Sequence, residues 1–185
     1  MTVTDRPGGG GRGGRAGSPQ DGPAGVRETA ARHALLPLRL FLGVTFLYAG
    51  IDKLTDPAFI ADAGPGSLGE LLGSVQGAAA PWLLDLALRA PETFGHAISL
   101  GEVAVGLGAL LGLWTRLAAL GGALISLSFW LTISWNVGPY YYSQDLAYLM
   151  AWTPLLLAGA PTLSLDAALA ARRAARGGRR AAGRR

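Results

Sequence analysis

Four long apolar segments constrain this chain more than any other feature of its sequence. They cover residues 35–54, 95–113, 117–137 and 145–163, and few polar residues interrupt them. A helix needs about 20 predominantly apolar residues to cross a bilayer. Charged residues make up 15% of the chain, well below the roughly 25% of a typical soluble domain, so too little polar surface remains for a water-soluble fold. The sequence therefore predicts an all-α integral membrane four-helix bundle.

The arginines are concentrated at the two ends of the chain. Residues 1–33 contain five Arg and three acidic residues, and residues 167–185 contain seven Arg and no acidic residue. Lys and Arg accumulate on the cytoplasmic side of membrane proteins. We therefore predict a multi-pass protein of the plasma membrane with both termini in the cytoplasm and the long loop 55–94 outside.

The chain divides into three predicted regions. Residues 1–33 form a Gly- and Arg-rich tail that can bury little apolar area, so we expect it to be disordered. Residues 34–166 form the membrane domain, and 167–185 form a disordered polybasic tail whose partners are anionic membrane lipids. The high pI comes from these tails, so we infer no nucleic-acid site. In the outer loop, the apolar stretches 69–76 and 81–89 are too short to span and predict two short interfacial helices.

Several redox and metal sites are excluded by composition. The chain has no Cys, which rules out a dithiol relay and a cysteine-ligated iron–sulfur cluster. Its two histidines, His33 and His96, fall at opposite membrane faces in the predicted topology, so they cannot hold one haem between them. We expect no haem, no iron–sulfur cluster and no metal.

Glu102 is an acidic residue inside the second apolar segment. Its helical neighbours at offsets of −7, −3, +4 and +7 are all small: Gly95, Ser99, Gly106 and Ala109. A stripe of small residues lets helices approach closely, so Glu102 is predicted to point into the bundle. Seven residues from the outer end of its segment correspond to a depth of about 10 Å.

Polar and aromatic residues gather in the outer half of the predicted bundle. Ionisable residues inside a membrane usually mark functional sites, and a buried carboxyl can exchange protons with a substrate. The candidate catalytic residues are Glu102, Tyr48 and His96. The candidate substrate or quinone pocket comprises Asp52, Lys53, Trp130, Trp135, Tyr148, Trp152 and Asp145.

Each of these residues also has a purely structural interpretation. Glu102 would be a neutral group that hydrogen-bonds two helices, or an ionised one if Lys53 reaches back to pair with it. Asp52 and Lys53 would fix a helix end at the membrane surface. Trp135 and Tyr140–Tyr142 would form an aromatic belt, and His96 would lie at the water boundary.

The sequence resembles the DoxX family. The motifs are "LRLFLGVTFLYAGIDKL", "GEVAVGLGALLGLWTR" and "SLD", and the likeness covers about residues 35–166. It is most similar to the DoxD branch, the small subunit of thiosulfate–quinone oxidoreductase. The matching residues are Arg39, Gly43, Gly50, Lys53, Glu102, Gly106, Gly112, Thr115, Arg116 and Asp166.

The resemblance implies a quinone-linked oxidoreductase subunit that passes electrons from a sulfur compound such as thiosulfate to quinone. Because the chain has no redox centre of its own, a second subunit or soluble redox partner, or direct sulfur chemistry, would supply the electrons. Two other functions stay open: a non-enzymatic membrane scaffold or anchor for a redox partner, and a small-molecule permease. Four helices are few for a permease, and no inverted repeat is visible.

Overall fold

The computed structural model describes residues 27, 28, 30, 31, 33–61, 63–160 and 162–182. Contacts divide the chain into two units, residues 1–32 and 33–185. The described residues of the first unit are helical.

The second unit is helical, and no strand occurs among its described residues. These described residues form seven α-helices and a short 3₁₀ turn at Tyr140–Tyr142. The α-helices are α1 (Leu36–Thr55), α2 (Leu68–Ser74), α3 (Pro81–Leu88), α4 (Pro91–Leu111), α5 (Thr115–Leu131), α6 (Gln144–Ala158) and α7 (Leu165–Ala182).

Local sequence explains most helix starts and one helix end. A proline lies in the first turn of α1, α3 and α4, where its missing N–H would have no helical partner. The hydroxyls of Ser67 and Ser143 accept from backbone N–H groups at the starts of α2 and α6. Helix α4 ends at Gly112, whose left-handed conformation (φ 61°) suits a glycine.

Two predicted segments run beyond their helices. Helix α5 ends at Leu131 rather than at 137, and α6 ends at Ala158 rather than at 163. Thr132 leaves the helical conformation, and Gly159 has a φ of 72°. Apolar residues continue in the sequence after Leu131 and after Ala158. A prediction based on hydropathy alone therefore places the ends of these two segments beyond the ends of the helices.

Helices α1 and α4 pack antiparallel at very short range. A Cβ atom on Gly50 would lie 2.6 Å from the carbonyl oxygen of Ser99, and one on Gly106 would lie 2.6 Å from the backbone nitrogen of Leu47. Near the start of α1, Gly43 packs against the side chain of Leu110, which would lie 2.7 Å from a Cβ at this position. The absence of side chains at these glycines lets the two backbones touch.

The remaining long helices continue the antiparallel order. Gly121 of α5 packs against Val105 of α4, and Gly122 faces the indole of Trp152 on α6. One core joins the four helices α1, α4, α5 and α6. Its buried members are Leu42, Phe46, Val105, Ala109, Ala119, Ala123, Trp152 and Leu155.

The two short helices predicted in the first long loop are present. Leu68 and Leu72 of α2 and Ala87 of α3 form a second buried cluster with Phe94 and Ile133 packed against it. This cluster covers the ends of α4 and α5 nearest the loop.

The C-terminal prediction is wrong in part. Residues 167–182, predicted to be disordered, belong to helix α7. The segment is rich in Ala and Arg, which are strong helix formers, and its high charge concealed that propensity. The predicted disordered tail 1–33 lies outside the described residues, except for 27, 28, 30, 31 and 33, which are helical.

Among the described helices, α4 alone is both long and apolar enough to cross a membrane, and α5 is apolar but shorter. Helix α1 is nearly as long as α4 but carries Arg39, Asp52 and Lys53. Helix α6 has 15 residues.

Candidate functional site

Glu102 is buried and forms an ion pair with Lys53. The Lys53 Nζ lies 2.8 Å from Oε1 and 2.6 Å from Oε2 of Glu102, so both carboxylate oxygens accept from the same ammonium. The Glu102 side chain is 4% exposed and that of Lys53 is 23% exposed. The predicted inward orientation of Glu102 is confirmed, together with the burial of its small-residue face.

The close approach of α1 and α4 explains this pair. Gly50 touches the Ser99 backbone. Lys53 and Glu102 each follow these two residues by three positions and so lie on the same helix faces. The Lys53 ammonium also lies 5.9 Å from the ring centroid of Phe129 on α5, within the range of a cation–π contact.

A second carboxylate lies near the pair. Asp145, in the first turn of α6, accepts a hydrogen bond from the hydroxyl of Ser134, and its backbone N–H donates to the Ser143 hydroxyl at 3.3 Å. Asp145 interacts electrostatically with Lys53. The site thus brings one ammonium and two carboxylates together from α1, α4 and α6.

These groups line a cavity of about 130 Å³ between the four long helices. Its polar lining residues are the three charged residues, Gln144, Thr45, Ser126 and Tyr148, and its apolar lining residues are Phe46, Ala49, Ile125 and Phe129. We call this region the Lys53 end. The structure therefore brings together four residues predicted from the sequence: Glu102, Lys53, Asp145 and Tyr148.

Other predicted residues lie outside the cavity lining. Tyr48 is 71% exposed, and Asp52 is also exposed. Trp130 and Trp135 pack on each other with ring centroids 5.2 Å apart. His96 Nδ1 lies 3.0 Å from the backbone oxygen of Glu92 in its own helix. The structure does not bring these five residues to Glu102.

Trp152 supports the cavity rather than lining it. Its side chain is fully buried and meets Phe46 edge-on at 5.0 Å between ring centroids. Phe46 in turn meets Tyr148 at 5.8 Å. Trp152 therefore holds one aromatic wall of the cavity in place.

Thr45, Ser126 and Phe129 were missed by sequence reasoning. Ser126 and Phe129 are three positions apart on α5 and share a face, but each lies within an apolar segment where one hydroxyl or ring carries little signal. Within the described part of the chain, no three His, Asp or Glu side chains lie close enough to hold a metal ion.

The DoxX family model matches residues 34–135, more than half of the chain. The chain belongs to the DoxX family. It is accordingly a membrane-associated protein. No curated protein and no solved structure matches it.

Only part of the cavity lining of this DoxX protein lies within the residues that the family model matches. Lys53, Glu102 and Ser126 lie within the matched residues. Asp145 and Tyr148, contributed by α6, lie beyond them. The ion pair is therefore part of the matched domain, and the second carboxylate comes from the following segment.

The opposite end of the long helices holds the other charged motif residues of the DoxX chain; we call it the Asp166 end. Asp166 accepts hydrogen bonds from the backbone N–H groups of Trp114 (2.9 Å) and Thr115 (3.1 Å) and from the Thr115 hydroxyl (3.3 Å). It therefore caps α5, because Trp114, the N-cap residue of this helix, makes no capping hydrogen bond with its own side chain. Partial burial opposes ionisation of Asp166, but the hydrogen bonds from Thr115 and Trp114 outweigh it and lower the pKa of the carboxyl.

Arginines complete the Asp166 end. Buried Arg39 donates to the carbonyl oxygens of Thr162 (3.0 Å) and Leu163 (2.7 Å), and Arg116 donates to that of Leu157 (3.0 Å). A wide depression of about 460 Å³ lies beside Thr115 and Asp166. The backbone N–H groups of Trp114 and Thr115 beside it are already bonded to Asp166.

Proposed function

We propose that helices α1, α4, α5 and α6 span the membrane as a four-helix bundle with both termini in the cytoplasm. Large apolar side chains on all four helices are exposed rather than buried. They include Leu40, Phe41, Val44, Ile51, Leu100, Leu107, Leu111, Leu117, Leu120, Leu124, Met150 and Leu157. So much exposed apolar surface is typical of a protein face covered by lipid. The Arg distribution supports the orientation, which places the Lys53 end on the outer side and lets the α7 arginines contact anionic lipid headgroups.

Within that bundle, we propose a quinone-linked oxidoreductase subunit of the DoxD type, acting on a sulfur compound such as thiosulfate. Reducing a quinone to a quinol consumes two electrons and two protons. The sulfur compound supplies the electrons, directly or through a second subunit. The Lys53–Glu102 pair relays the two protons from water one at a time, because the Lys53 ammonium can donate a proton to a bound oxygen and then be reprotonated.

The observation that carries this proposal is the position of the ion pair beside a cavity. A pair that served packing alone would be enclosed by side chains on every side. Here both partners line the same cavity as the Tyr148 ring, so a ligand in it would contact the pair directly.

The test measures thiosulfate-dependent quinone reduction by the chain purified together with any subunit that accompanies it. Glu102→Gln retains the shape but cannot ionise, so we expect turnover to fall at least about 100-fold, the usual contribution of a general acid or base. Glu92→Gln, an exposed position in the same helix, is the matched control and should retain full turnover. Normal turnover in a folded Glu102→Gln protein would remove Glu102 from the catalytic residues.

A non-enzymatic scaffold is the second candidate. The bidentate contact between Lys53 and Glu102 joins α1 to α4. Such a pair can determine the relative position of two helices without taking part in a reaction. This function predicts that a partner protein co-purifies equally well with the native chain and with the Glu102→Gln variant. Neither the native chain nor the variant should then show quinone turnover.

A further inference from the structure

The Ser126 hydroxyl is a buried polar group with nothing to bind. Ser126 is 1% exposed, and its Oγ has no hydrogen-bond partner in the described part of the chain. Most serines in these helices donate to a carbonyl of their own helix, as Ser99 does to Gly95 at 2.7 Å and Ser128 does to Ile125 at 2.7 Å. Buried hydroxyls without a partner are rare, and each one requires an explanation.

Ser126 lines the same cavity as Lys53 and Glu102. The cavity wall therefore combines one serine of α5 whose hydroxyl is unbonded with a charged cluster from the other helices. Between them, Phe46 and Phe129 supply aromatic surface. This lining suits a flat ring that carries polar atoms at separate positions on its edge.

Size limits the ligand. An apolar protein cavity of about 150 Å³ takes up a benzene molecule. The cavity here, about 130 Å³, therefore fits one six-membered ring and excludes two fused rings unless the walls move.

Charge limits the ligand as well. The site holds one ammonium and the two carboxylates of Glu102 and Asp145. An anion would meet more negative than positive groups, which is unfavourable in a site of low dielectric constant. A neutral ligand whose oxygens exchange hydrogen bonds with the walls avoids that cost.

We propose that Ser126 binds one oxygen of a neutral, single-ring ligand whose other oxygen lies against Lys53. This inference rests on the proposed function, since a benzoquinone headgroup is such a ring. It assigns the headgroup to this cavity, and it places the anionic sulfur compound outside it.

The test is ligand-dependent thermal unfolding of the full chain in detergent, with 2-decyl-1,4-benzoquinone as the probe. We expect the probe to raise the unfolding temperature of the native protein and to bind Ser126→Ala about tenfold more weakly, the effect of losing one hydrogen bond. Without the probe, Ser126→Ala should unfold at the native temperature or higher, because it removes an unbonded hydroxyl. Ser126→Cys, a much weaker hydrogen-bonding group, should bind as weakly as Ser126→Ala.

Ser99→Ala is the matched control. This serine is also fully buried, but its hydroxyl is bonded within its own helix, so the variant should bind the probe with native affinity. The size limit is checked with 2-decyl-1,4-naphthoquinone, which has the same tail and one more ring and should stabilise the native protein far less.

Native affinity in Ser126→Ala would overturn the inference, and so would equal binding of the two-ring probe or no binding to the native protein. The proposed function is tested separately by turnover. Ser126-dependent binding without thiosulfate-driven reduction would leave the binding site in place and contradict the reaction. Turnover with native affinity in Ser126→Ala would contradict the binding site alone.

Discussion

At the Lys53 end of the long helices an ammonium meets a carboxylate, whereas at the Asp166 end each charged group meets the backbone. Arg39 and Arg116 donate to carbonyl oxygens, and Asp166 accepts from amides. These contacts satisfy backbone N–H and carbonyl groups at helix ends and in connecting segments, and so they stabilise the fold. The Lys53–Glu102 pair closes no helix end and faces a cavity. Motif residues of one family therefore stabilise the fold at one end of the molecule and line a cavity at the other.

The largest expected effect is on the ion pair. Lys53→Met would leave the Glu102 carboxylate buried without its partner, and we expect the free energy of unfolding to fall by about 3 kcal/mol. The double variant Lys53→Met/Glu102→Leu removes both charges and should be more stable than the single one. Denaturant unfolding in detergent measures both. Additive losses in the double variant would show that the two residues do not depend on each other.

Gly50→Ala should disturb the Lys53 end and leave the Asp166 end intact. Its Cβ would lie 2.6 Å from the Ser99 carbonyl oxygen and 2.8 Å from the backbone nitrogen of Val103, so α1 and α4 must separate. We expect a loss of about 2 kcal/mol from overpacking and weaker probe binding in the cavity. Gly73→Ala in α2 is the control, because nothing lies within 4 Å of its Cβ. A native unfolding temperature in Gly50→Ala would contradict the close contact.

The smallest expected effect is at the Asp166 end. Asp166→Ala removes the cap of α5 and should cost about 1 kcal/mol, with no change in probe affinity. Asp85→Asn, at an exposed position, is the control and should be neutral. A loss of probe binding in Asp166→Ala would show that the two ends are coupled.

The Asp166 carboxyl should also make the stability of the protein depend on pH. Since the folded-state pKa of Asp166 is lowered, its contribution is present above the unfolded value of about 3.9 and disappears as the pH falls through the lower folded value. The stability difference between the native protein and Asp166→Ala should therefore shrink as the pH is lowered from 5 through this range. Unfolding measured across this interval checks it, and a difference independent of pH would contradict the hydrogen-bonded cap.

The sequence by itself determined the helical character of the chain, the burial of Glu102 on a small-residue face, and the presence of two short helices in the first long loop. Each of these depends on local composition or on the 3.6-residue period. Helix α7 was not predicted, because its high Arg content is also typical of disordered polybasic tails, although Ala and Arg are strong helix formers. The proposals of a four-helix membrane topology and of quinone chemistry go beyond the family match.

Tertiary structure decided which predicted residues meet. Tyr48 was grouped with Glu102 by depth along the membrane, but it lies five positions before Lys53, on another face of α1, and it is exposed. Ser126 carried no signal inside an apolar segment, yet it lines the cavity. Depth follows from counting residues, whereas the rotation of each helix about its axis follows from which surfaces pack. Here that rotation is set by the backbone contact at Gly50 and Gly106, which only the folded chain contains.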